Sequence, residues 1–596
     1  MVFEELSIYK GQRLSDLLGT IPSNTILNKT LCGIGATTLE LTSPRNSIII
    51  EPNVPVIKGK TKRHNGILGV YEGITVQQIR GYLMSDLPYK KILTTPEGFN
   101  KVKTAFRHTR YNYFKDFFLL FDECEKIVLD IDYRENVSLP INDFFKFVSK
   151  AMVSATPIIP SDPRFEEQNF RIIQIRPQFQ YKQGISIQQT NNATLLTKYI
   201  LETRKDTSPI CIFYCSVKGI TSIIEQMGIK EDTSIFCGID NADKLRGEGF
   251  KNVFDEIQVN EHGAAQLSHY NFFTSRFYSA VDIITPEKPL VLMVTNVYSA
   301  SHTMIDPSTE AIQILGRFRN GVSDCIHITN YNRHLEYREK EAMNEYLNSQ
   351  HEVYKELFIK CTAAQGEGEK DILNQAMTAV EYSRFVDDDC NKKYFMYDNR
   401  FAEEHLKGIY QKKFSIAKAY KETGAFEVTY RYIPLSVSGK DCSKLNDRRK
   451  SRTEINKLAY RILKKIKKQR DEYDTYIYKE FKNCFSLICD AFDILGENKI
   501  EEIGFSEKAL RTAIQKKQIH NGELHQGVVN AIHQQFNEDR WYSTTEINSV
   551  IEKIYKTFNL PTKTKGQSNK IALYFEAVEH NTRIARGWKL GKRKIP

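Results

Sequence analysis

The chain has 596 residues, too many for a single hydrophobic core, and its 41% hydrophobic and 11% aromatic residues exclude a wholly disordered protein. Its net charge of +11 is concentrated in residues 440–470 (+10) and 561–596 (+7), which leaves −6 elsewhere and indicates a polyanionic partner. No apolar run reaches the ~18 residues of a membrane span, and no signal-peptide pattern opens the chain, so we expect a soluble, cytoplasmic protein without a membrane partner. The 11 cysteines include no Cys-x-x-Cys pair, so we expect no structural zinc site.

The first 160 residues alternate short apolar runs with longer helical stretches, as βα units do. Strands are predicted at residues 47–51, 91–95, 117–121 and 151–154. Continuous apolar runs of this kind suit parallel strands that are covered on both faces. We therefore predict a first α/β domain over residues 1–160, followed by a proline-containing linker at 161–170.

A second alternating series predicts a second α/β domain over residues 171–340. Its strands are expected at residues 171–175, 210–215, 234–237, 271–274, 290–295 and 325–329. Asp306-Pro307 suits the start of a helix that carries Gln313 and Arg317, because Asp caps exposed amides and Pro fits the first helical position.

Beyond residue 340 the pattern becomes mainly helical. Residues 341–440 predict a helical or mixed extension in which 426–435 forms a strand pair, and residues 441–596 predict a basic helical domain that binds nucleic acid or a partner protein. Residues 448–492 have an apolar helical stripe opposite a basic one. The basic stripe includes Lys464, Lys465, Lys467 and Lys468, which either hold a polyanion or form an ordinary solvated face.

A glycine-rich turn at residues 33–38 (GIGATT) predicts a phosphate-binding loop. Gly33 and Gly35 permit a tight turn whose backbone amides converge on an anion, and Thr37 stands where a hydroxyl could bind Mg²⁺. Ala36 and Thr38 complete the loop. An ordinary glycine-containing turn is the alternative for this segment taken alone.

Two further segments end apolar strands. Asp122 and Glu123 follow the run at 117–121, so we expect Asp122 to bind a metal ion and Glu123 to polarise water. Residues 154–156 (SAT) carry small hydroxyls that could report the state of a nucleotide. An acidic turn and a plain turn are the alternatives.

The segment at 313–319 (QILGRFR) is the most specific of the four. Its two guanidinium groups, Arg317 and Arg319, suit phosphate oxygens and could stabilise charge on a transferring phosphoryl group. Gln313 precedes them on the same predicted helix. A helix with a surface arginine pair is the alternative.

In this order the four segments resemble those of superfamily 2 helicases, of the DEAD/DEAH-like kind. The resemblance covers about residues 18–329 and is nearest to viral or mobile-element replication and origin-binding helicases. It implies an α/β fold with two tandem RecA-like parallel-sheet domains, followed by a mostly α-helical C-terminal region. It also implies ATP and Mg²⁺ as cofactors, nucleic acid as partner with DNA favoured over RNA, possible replication proteins, and the cytoplasm of a bacterium or phage-infected cell.

The resemblance also assigns roles to individual residues. Asp282 would face the nucleotide, and four residues would contact the nucleic-acid backbone: Pro52, Thr94, Thr95 and Pro96. Asp122, Glu123, Gln313, Arg317 and Arg319 would be catalytic.

The chain departs from the family pattern at three points. Ala36 replaces the phosphate-loop lysine, for which Lys29 could substitute unless it is an ordinary loop lysine. Arg319 follows Gln313 by six residues instead of seven, which leaves open which arginine acts on the phosphate. Gln12 is a poor candidate for an adenine-reading glutamine.

Two functions therefore stay open: an ATP-dependent helicase or translocase, and a catalytically inactive helicase fold that serves as a nucleic-acid-binding scaffold or replication initiator. For a nuclease or another enzyme at the C-terminus, the sequence offers no convincing carboxylate–lysine or metal-ligand cluster.

Overall fold

The computed structural model describes residues 1–132, 134–138, 140–207, 209–261, 263–279, 282–387, 389–468, 472–562, 567–582 and 585–594. These residues form two compact units, Met1–Pro434 and Leu435–Pro596. Three predicted segments fall partly outside the described residues: the basic run at 440–470 at residues 469 and 470, the basic run at 561–596 at residues 563–566, 583, 584, 595 and 596, and the motif around Asp282 at residues 280 and 281.

The first unit begins with an eight-stranded, all-parallel sheet in the order β1-β8-β2-β7-β6-β3-β5-β4. We call this sheet and its helices the first lobe. Its central strands β3, β5 and β6 are buried at every residue, as their unbroken apolar runs predict. Its strands are β1 Val2–Ile8, β2 Thr25–Asn28, β3 Ser47–Ile50, β4 Ile67–Val70, β5 Lys91–Thr94, β6 Phe118–Asp122, β7 Ser149–Ser154 and β8 Arg171–Pro177. Its helices are α1 Ala36–Thr42, α2 Val54–Arg63, α3 Val76–Leu83, α4 Phe99–Ala105, α5 Tyr113–Asp116, α6 Glu125–Leu129, α7 Ile141–Phe144 and α8 Arg164–Glu167, with 3₁₀ turns at Leu14–Asp16 and Glu135–Ser138.

A second eight-stranded parallel sheet forms the second lobe, in the order β12-β11-β13-β10-β14-β15-β9-β16. Its strands are β9 Gln183–Thr190, β10 Ile210–Phe213, β11 Thr233–Phe236, β12 Val253–Phe254, β13 Tyr270–Phe273, β14 Leu290–Val294, β15 Asp324–Thr329 and β16 Phe426–Ile433. Its helices are α9 Ala193–Thr203, α10 Val217–Met227, α11 Ile239–Gly247 and α12 Glu310–Gly316, with 3₁₀ turns at Lys230–Asp232, Ser275–Phe277 and Ser301–Thr303.

Between β15 and β16 the chain leaves the sheet as a helical extension. Its elements are α13 Lys340–Ala363, α14 Glu367–Ala379, a 3₁₀ turn Glu381–Phe385, α15 Tyr394–Gln411 and α16 Ser415–Glu422. The extension packs on both lobes, because Phe395 joins the core of the first sheet and Tyr420 that of the second.

The second unit is mostly helical and ends in a three-stranded antiparallel sheet, β17-β19-β18. Its helices are α17 Gly439–Leu445, α18 Arg452–Lys468, α19 Asp474–Cys484, α20 Ser486–Leu495, α21 Glu497–Ile503, α22 Glu507–Glu523, α23 Gln526–Gln535 and α24 Thr544–Thr557, with a 3₁₀ turn at Gln567–Leu573. Its strands are β17 Trp541–Ser543, β18 Phe575–Glu579 and β19 Gly587–Arg593. None of the helices in the described ranges has the length and apolar character that crossing a bilayer requires.

The predicted fold class is confirmed: two α/β domains with parallel sheets precede a mostly helical C-terminal region.

Three details of the sequence interpretation are wrong. The run at 171–175 belongs to the first sheet, where it pairs with β1 and β2, so this lobe extends past residue 160 and the expected linker at 161–170 contains α8. Residues 426–433 form one strand that pairs with β9, and no strand pair forms there.

The third error concerns the helix that carries the last motif. It begins at Glu310, because the Asp306 carboxylate accepts a hydrogen bond from the Ser308 amide and turns the chain before the helix starts. Arg317 therefore lies at the C-cap, one residue past the end of α12.

Candidate nucleotide site

The glycine-rich loop links β2 to α1 at the carboxyl edge of the first sheet. Gly33 and Gly35 have φ of 79° and 90°, a left-handed conformation that glycine adopts without strain. The backbone amide of Lys29 donates to the Ser154 carbonyl over 2.8 Å, which anchors the start of the loop to β7. Ala36 opens α1 and is buried, whereas Thr38, two residues further along, is exposed.

Strand β6 delivers Asp122 and Glu123 to the same edge. The Thr37 hydroxyl of α1 donates to Asp122 Oδ2, so the loop and the acidic strand end are in direct contact. Glu123 has a φ of 49°, which is unusual for a residue with a Cβ and is typical of functional sites that the surrounding structure holds in place.

Lys29 reaches both carboxylates. Its Nζ lies 3.2 Å from Glu123 Oε1 and 3.6 Å from Asp122 Oδ1, and the side chain is 7% exposed. Burial disfavours the ammonium, but the carboxylates of Glu123 and Asp122 outweigh this and raise the pKa of Lys29 above its ordinary value. The lysine that the sequence placed beside the loop therefore stands at the acidic strand end.

A second lysine, Lys60 of α2, was not predicted for this site. Its Nζ donates to Thr37 Oγ1 over 2.9 Å, to Asp122 Oδ2 over 3.1 Å and to Glu51 Oε1 over 2.6 Å. Glu51 directly follows β3 and is buried, which raises its pKa to about 7 against the opposing effect of Lys60. The only signal in the sequence is a lysine-rich helix after a central strand, and it does not single out Lys60.

Gln313 of the second lobe crosses to the first lobe. Its Nε2 donates to Glu123 Oε2 over 2.9 Å, and Glu125 Oε1 and Thr156 Oγ1 lie 3.2 Å from the same nitrogen. Three of the predicted motifs thus meet at one side-chain amide.

Arg317 is buried beside Gln313. Its guanidinium donates to the carbonyl and to Oε1 of Gln313, and lies 3.9 Å from Glu123 Oε1. Burial disfavours its charge, but Cys32 and Glu123 outweigh this and raise the pKa of Arg317.

Arg319 takes a different position, over the glycine loop. Its guanidinium is held by Asp282 Oδ1, with Nε 3.0 Å away, and a Cβ at Gly33 would lie 2.8 Å from Arg319 Cζ. The amide of Ile283 donates to the Arg317 carbonyl, and this bond keeps the neighbouring Asp282 next to Arg319. The two arginines therefore lie near different groups: Arg317 is close to the Glu123 carboxylate and Arg319 lies over the loop.

A cavity of about 460 Å³ opens beside the loop and Arg319. Its wall includes Gln12, Arg13, Phe179 and Tyr181, which provide polar, cationic and aromatic groups. Gln12 Oε1 accepts a hydrogen bond from the Tyr9 amide, so part of its hydrogen-bonding capacity is already used. The sequence did not indicate Arg13, Phe179 or Tyr181.

Ser154 and Glu125 complete the buried polar network. Ser154 Oγ lies 3.4 Å from Glu123 Oε2 and accepts from the Thr156 amide. Burial raises the pKa of Glu125 to about 8, with a further contribution from the neighbouring charge of Glu123. Glu125 is therefore a protonated acid at neutral pH, next to an ionised Glu123.

The residues expected to contact nucleic acid lie side by side at the ends of β3 and β5 but are buried. The Pro52 carbonyl accepts from Arg134, and Thr95 Oγ1 accepts from the Gly98 amide. The Glu51 amide donates to the Thr94 carbonyl over 2.8 Å. The four residues expected to contact nucleic acid, all of them buried, are Pro52, Thr94, Thr95 and Pro96.

Three of the four basic residues predicted on α18 have carboxylate partners within the second unit. Lys464 lies 2.7 Å from Glu497, and Lys467 lies 3.1 Å from Asp493. Lys465 is 3.7 Å from Asp441, and Lys468 is exposed. Exposed ion pairs of this kind are weak, so these lysines can exchange partners readily.

The donor atoms at the acidic strand end suit Mg²⁺, a hard cation that prefers oxygen ligands and keeps several waters. Thr37 Oγ1 and Asp122 Oδ2 are adjacent oxygens of this kind, and the Lys60 ammonium bridges them. Across the described ranges, no group of three or more His, Cys, Asp or Glu side chains is arranged to hold a metal ion. A magnesium ion here would therefore depend on Thr37, Asp122, water and the phosphates of a ligand.

The chain matches no protein-family model and no curated protein. Solved structures similar to it include Saccharomyces cerevisiae Dbp5 bound to RNA and ADP BeF3, which is 14% identical, with 55% of this chain and 82% of that chain covered and a TM-score of 0.35. Another is the Pyrococcus furiosus Hef helicase domain, at 12% identity, with 55% and 95% covered and a TM-score of 0.30. RecG bound to a three-way DNA junction is 12% identical, with 65% and 48% covered and a TM-score of 0.31.

Proposed function

We propose that this chain is an ATP-dependent nucleic-acid helicase or translocase that uses Mg²⁺. The two lobes would close on ATP and reopen after hydrolysis, and each change would shift the grip on the nucleic-acid backbone. One observation carries the proposal: side chains of the second lobe reach the first lobe at two points. Gln313 and Arg317 lie beside Glu123, and Arg319 lies over the glycine loop.

This arrangement suits phosphoryl transfer, because a hydrolysis site needs a metal ligand, a group that orients water and cations on the transferring phosphoryl group. Asp122 and Thr37 would hold Mg²⁺, which neutralises phosphate charge, and Glu123 would orient the attacking water. Arg317 and Arg319 would stabilise the developing charge. Lys29 would supply a further cation beside Asp122 and Glu123, near the loop in which Ala36 replaces the usual lysine.

The base and sugar of ATP would occupy the cavity beside Gly33 and Arg319. Its volume of about 460 Å³ lies within the usual range of ligand pockets, and its aromatic wall residues Phe179 and Tyr181 offer faces for a purine. Asp282 would orient Arg319 toward the phosphates.

The polymer would be DNA, in the replication of a virus or mobile element within a bacterial cytoplasm, as the sequence resemblance suggests. Phosphate contacts would dominate its binding and make affinity insensitive to sequence. The basic segments at 440–470 and 561–596 support a polyanionic partner, and replication proteins would be further partners.

ATP turnover with and without polynucleotide is the decisive experiment. Turnover should rise when single-stranded DNA is added and should fall by roughly a hundredfold or more in Glu123→Gln, since this change removes the group that orients water. The exposed carboxylate of Asp240 provides the matched control, and Asp240→Asn should turn over like the wild type. Equal turnover in Glu123→Gln and the wild type would reject the role of Glu123.

The rival function is a catalytically inactive scaffold or replication initiator. It is favoured by Ala36 and by the fact that Lys29, Lys60 and Gln313 already occupy oxygens of Asp122 and Glu123. Radiolabelled ATP that binds but is not hydrolysed, with or without polynucleotide, would favour this function over the helicase.

A further inference from the structure

Lys60 is the one cation in contact with both the glycine-loop helix and the acidic strand end among the described residues. Its Nζ is 2.9 Å from the hydroxyl of Thr37, the residue that directly follows Ala36. Lys29, by comparison, has ion pairs with Asp122 and Glu123. Lys60 thus contacts the residue next to position 36, whereas the ion pairs of Lys29 are with the two carboxylates.

The helix that carries Lys60 is also tied to the second lobe. Lys58 Nζ is 2.9 Å from Glu256 Oε1, and Arg63 is 3.9 Å from Asp282, which in turn holds Arg319. Lys60 lies between these two links on α2. Two contacts with the second lobe therefore flank Lys60 along its helix.

Glu51 provides a fixed anchor for this ammonium. The carboxylate of Glu51 is 1% exposed and lies 2.6 Å from Lys60 Nζ. A buried carboxylate without its cation is costly, so Lys60 is held at Glu51 whichever other oxygens it binds. Its bonds to Thr37 and Asp122 are the exchangeable ones.

We propose that Lys60, anchored by Glu51, replaces the lysine missing at position 36 and binds the phosphates of a nucleoside triphosphate. This inference rests on the proposed function, whose nucleotide it shares. In this structure Lys60 donates to the oxygens of Thr37 and Asp122. When the triphosphate binds, Lys60 keeps Glu51 and exchanges those oxygens for a phosphate oxygen.

The test compares Lys60→Met, which removes the charge but keeps the length of the side chain, with Lys62→Met on the same helix, where the lysine is exposed. Binding of fluorescent ATP and AMP analogues is measured at fixed Mg²⁺. Lys60→Met should weaken triphosphate binding roughly tenfold or more and leave monophosphate binding unchanged, because charge-assisted bonds to phosphate are strong. Lys62→Met should bind both analogues like the wild type.

Rescue separates a phosphate contact from a structural role. Ala36→Lys added to Lys60→Met should recover most of the lost triphosphate affinity. Unchanged triphosphate binding in Lys60→Met, or a loss that Ala36→Lys fails to recover, would overturn the proposal. If Lys60→Met does not fold, Glu51→Gln/Lys60→Met removes both buried charges and is tested with the same rescue.

A second readout needs no nucleotide and keeps this inference distinct from the proposed function. Mn²⁺ binding to the nucleotide-free protein is measured by electron paramagnetic resonance. Lys60→Met frees the oxygens of Thr37, Asp122 and Glu51, so it should bind Mn²⁺ roughly tenfold more tightly than the wild type or Lys62→Met. Equal Mn²⁺ affinity would overturn the placement of Lys60. A protein that binds the triphosphate through Lys60 but does not hydrolyse it, with or without polynucleotide, would reject the proposed ATP-driven function alone.

Discussion

Gln313 Nε2 of the second lobe donates to Glu123 Oε2 of the first lobe over 2.9 Å. This hydrogen bond is buried and joins the residue proposed to orient water to a helix of the second lobe. Separation of the lobes would leave Glu123 without this donor. The proposed role of Glu123 would therefore require the two lobes to be in contact.

Gln313→Ala should lower polynucleotide-stimulated ATP turnover by roughly a hundredfold, because it removes the donor to Glu123 and the acceptor of Arg317. ATP binding should change little, since Gln313 contacts protein groups. Steady-state turnover and equilibrium binding measure the two effects. The exposed Gln365→Ala is the control, and wild-type turnover in Gln313→Ala would contradict the assignment.

Substitution of Arg317 and of Arg319 should affect different kinetic parameters. Arg319→Ala should mainly weaken nucleotide binding, by roughly tenfold, because Arg319 lies over Gly33 beside the cavity. Arg317→Ala should mainly lower turnover at saturating ATP, because Arg317 lies near Glu123. Arg246→Ala, which changes an exposed arginine of the second lobe, serves as control. Identical profiles for Arg317→Ala and Arg319→Ala would contradict this division.

Lys29→Ala should abolish turnover and destabilise the first lobe by about 3 kcal/mol, because it leaves two buried carboxylates short of a cation. Ala36→Lys in that background should partly restore turnover. Denaturant unfolding and ATPase rates test both effects, with the exposed Lys10→Ala as control. Full activity in Lys29→Ala would dismiss Lys29 as a substitute for the missing loop lysine.

Parallel strands with unbroken apolar runs could be predicted from the sequence, because burial on both faces leaves a continuous signal. Two of the missed strands lack such a run: β1 is an edge strand with exposed residues, and β9 contains three glutamines. The residues of the candidate site that could be predicted are those that lie within or beside one of the four sequence segments. Lys60 was not predicted because it lies on α2, in a different βα unit from the glycine loop. Its distance along the sequence from Thr37 and Asp122 gives no sign that it contacts them.

Glu125→Gln should stabilise the protein, increasingly so as pH rises. Wild-type Glu125 has a pKa of about 8 when folded, above its unfolded value, so the folded state retains a proton that the unfolded state loses. Stability attributable to this carboxyl is complete at acidic pH and falls between about pH 4.5 and 8. The gain from Glu125→Gln should therefore grow across this window to a few kcal/mol, roughly, and level off above it.

The measurement is urea unfolding from pH 5 to 9, with the exposed Glu345→Gln as control. A difference between Glu125→Gln and the wild type that does not vary with pH would show that Glu125 is ionised in the folded protein.

Charge removal on α18 should weaken polynucleotide binding about equally for all sequences and flatten its salt dependence, because phosphate contacts release counterions. ATP affinity in the absence of polynucleotide should not change. Fluorescence anisotropy at several salt concentrations provides the measurement. If affinity and salt slope both survive, these lysines form a solvated face. The residues changed to glutamine are Lys464, Lys465, Lys467 and Lys468, and the control set of exposed lysines is Lys340, Lys360, Lys370 and Lys418.

Strand β16 returns to the second sheet only after the long helical excursion between residues 340 and 425, and its eight residues pair with every residue of β9. A chain cut after β15 would therefore expose the backbone of β9 along a full edge, a surface prone to pairing with other chains. The second lobe thus has no natural end near residue 340. The shortest fragment that keeps both sheets intact ends at Pro434, where the first compact unit also ends.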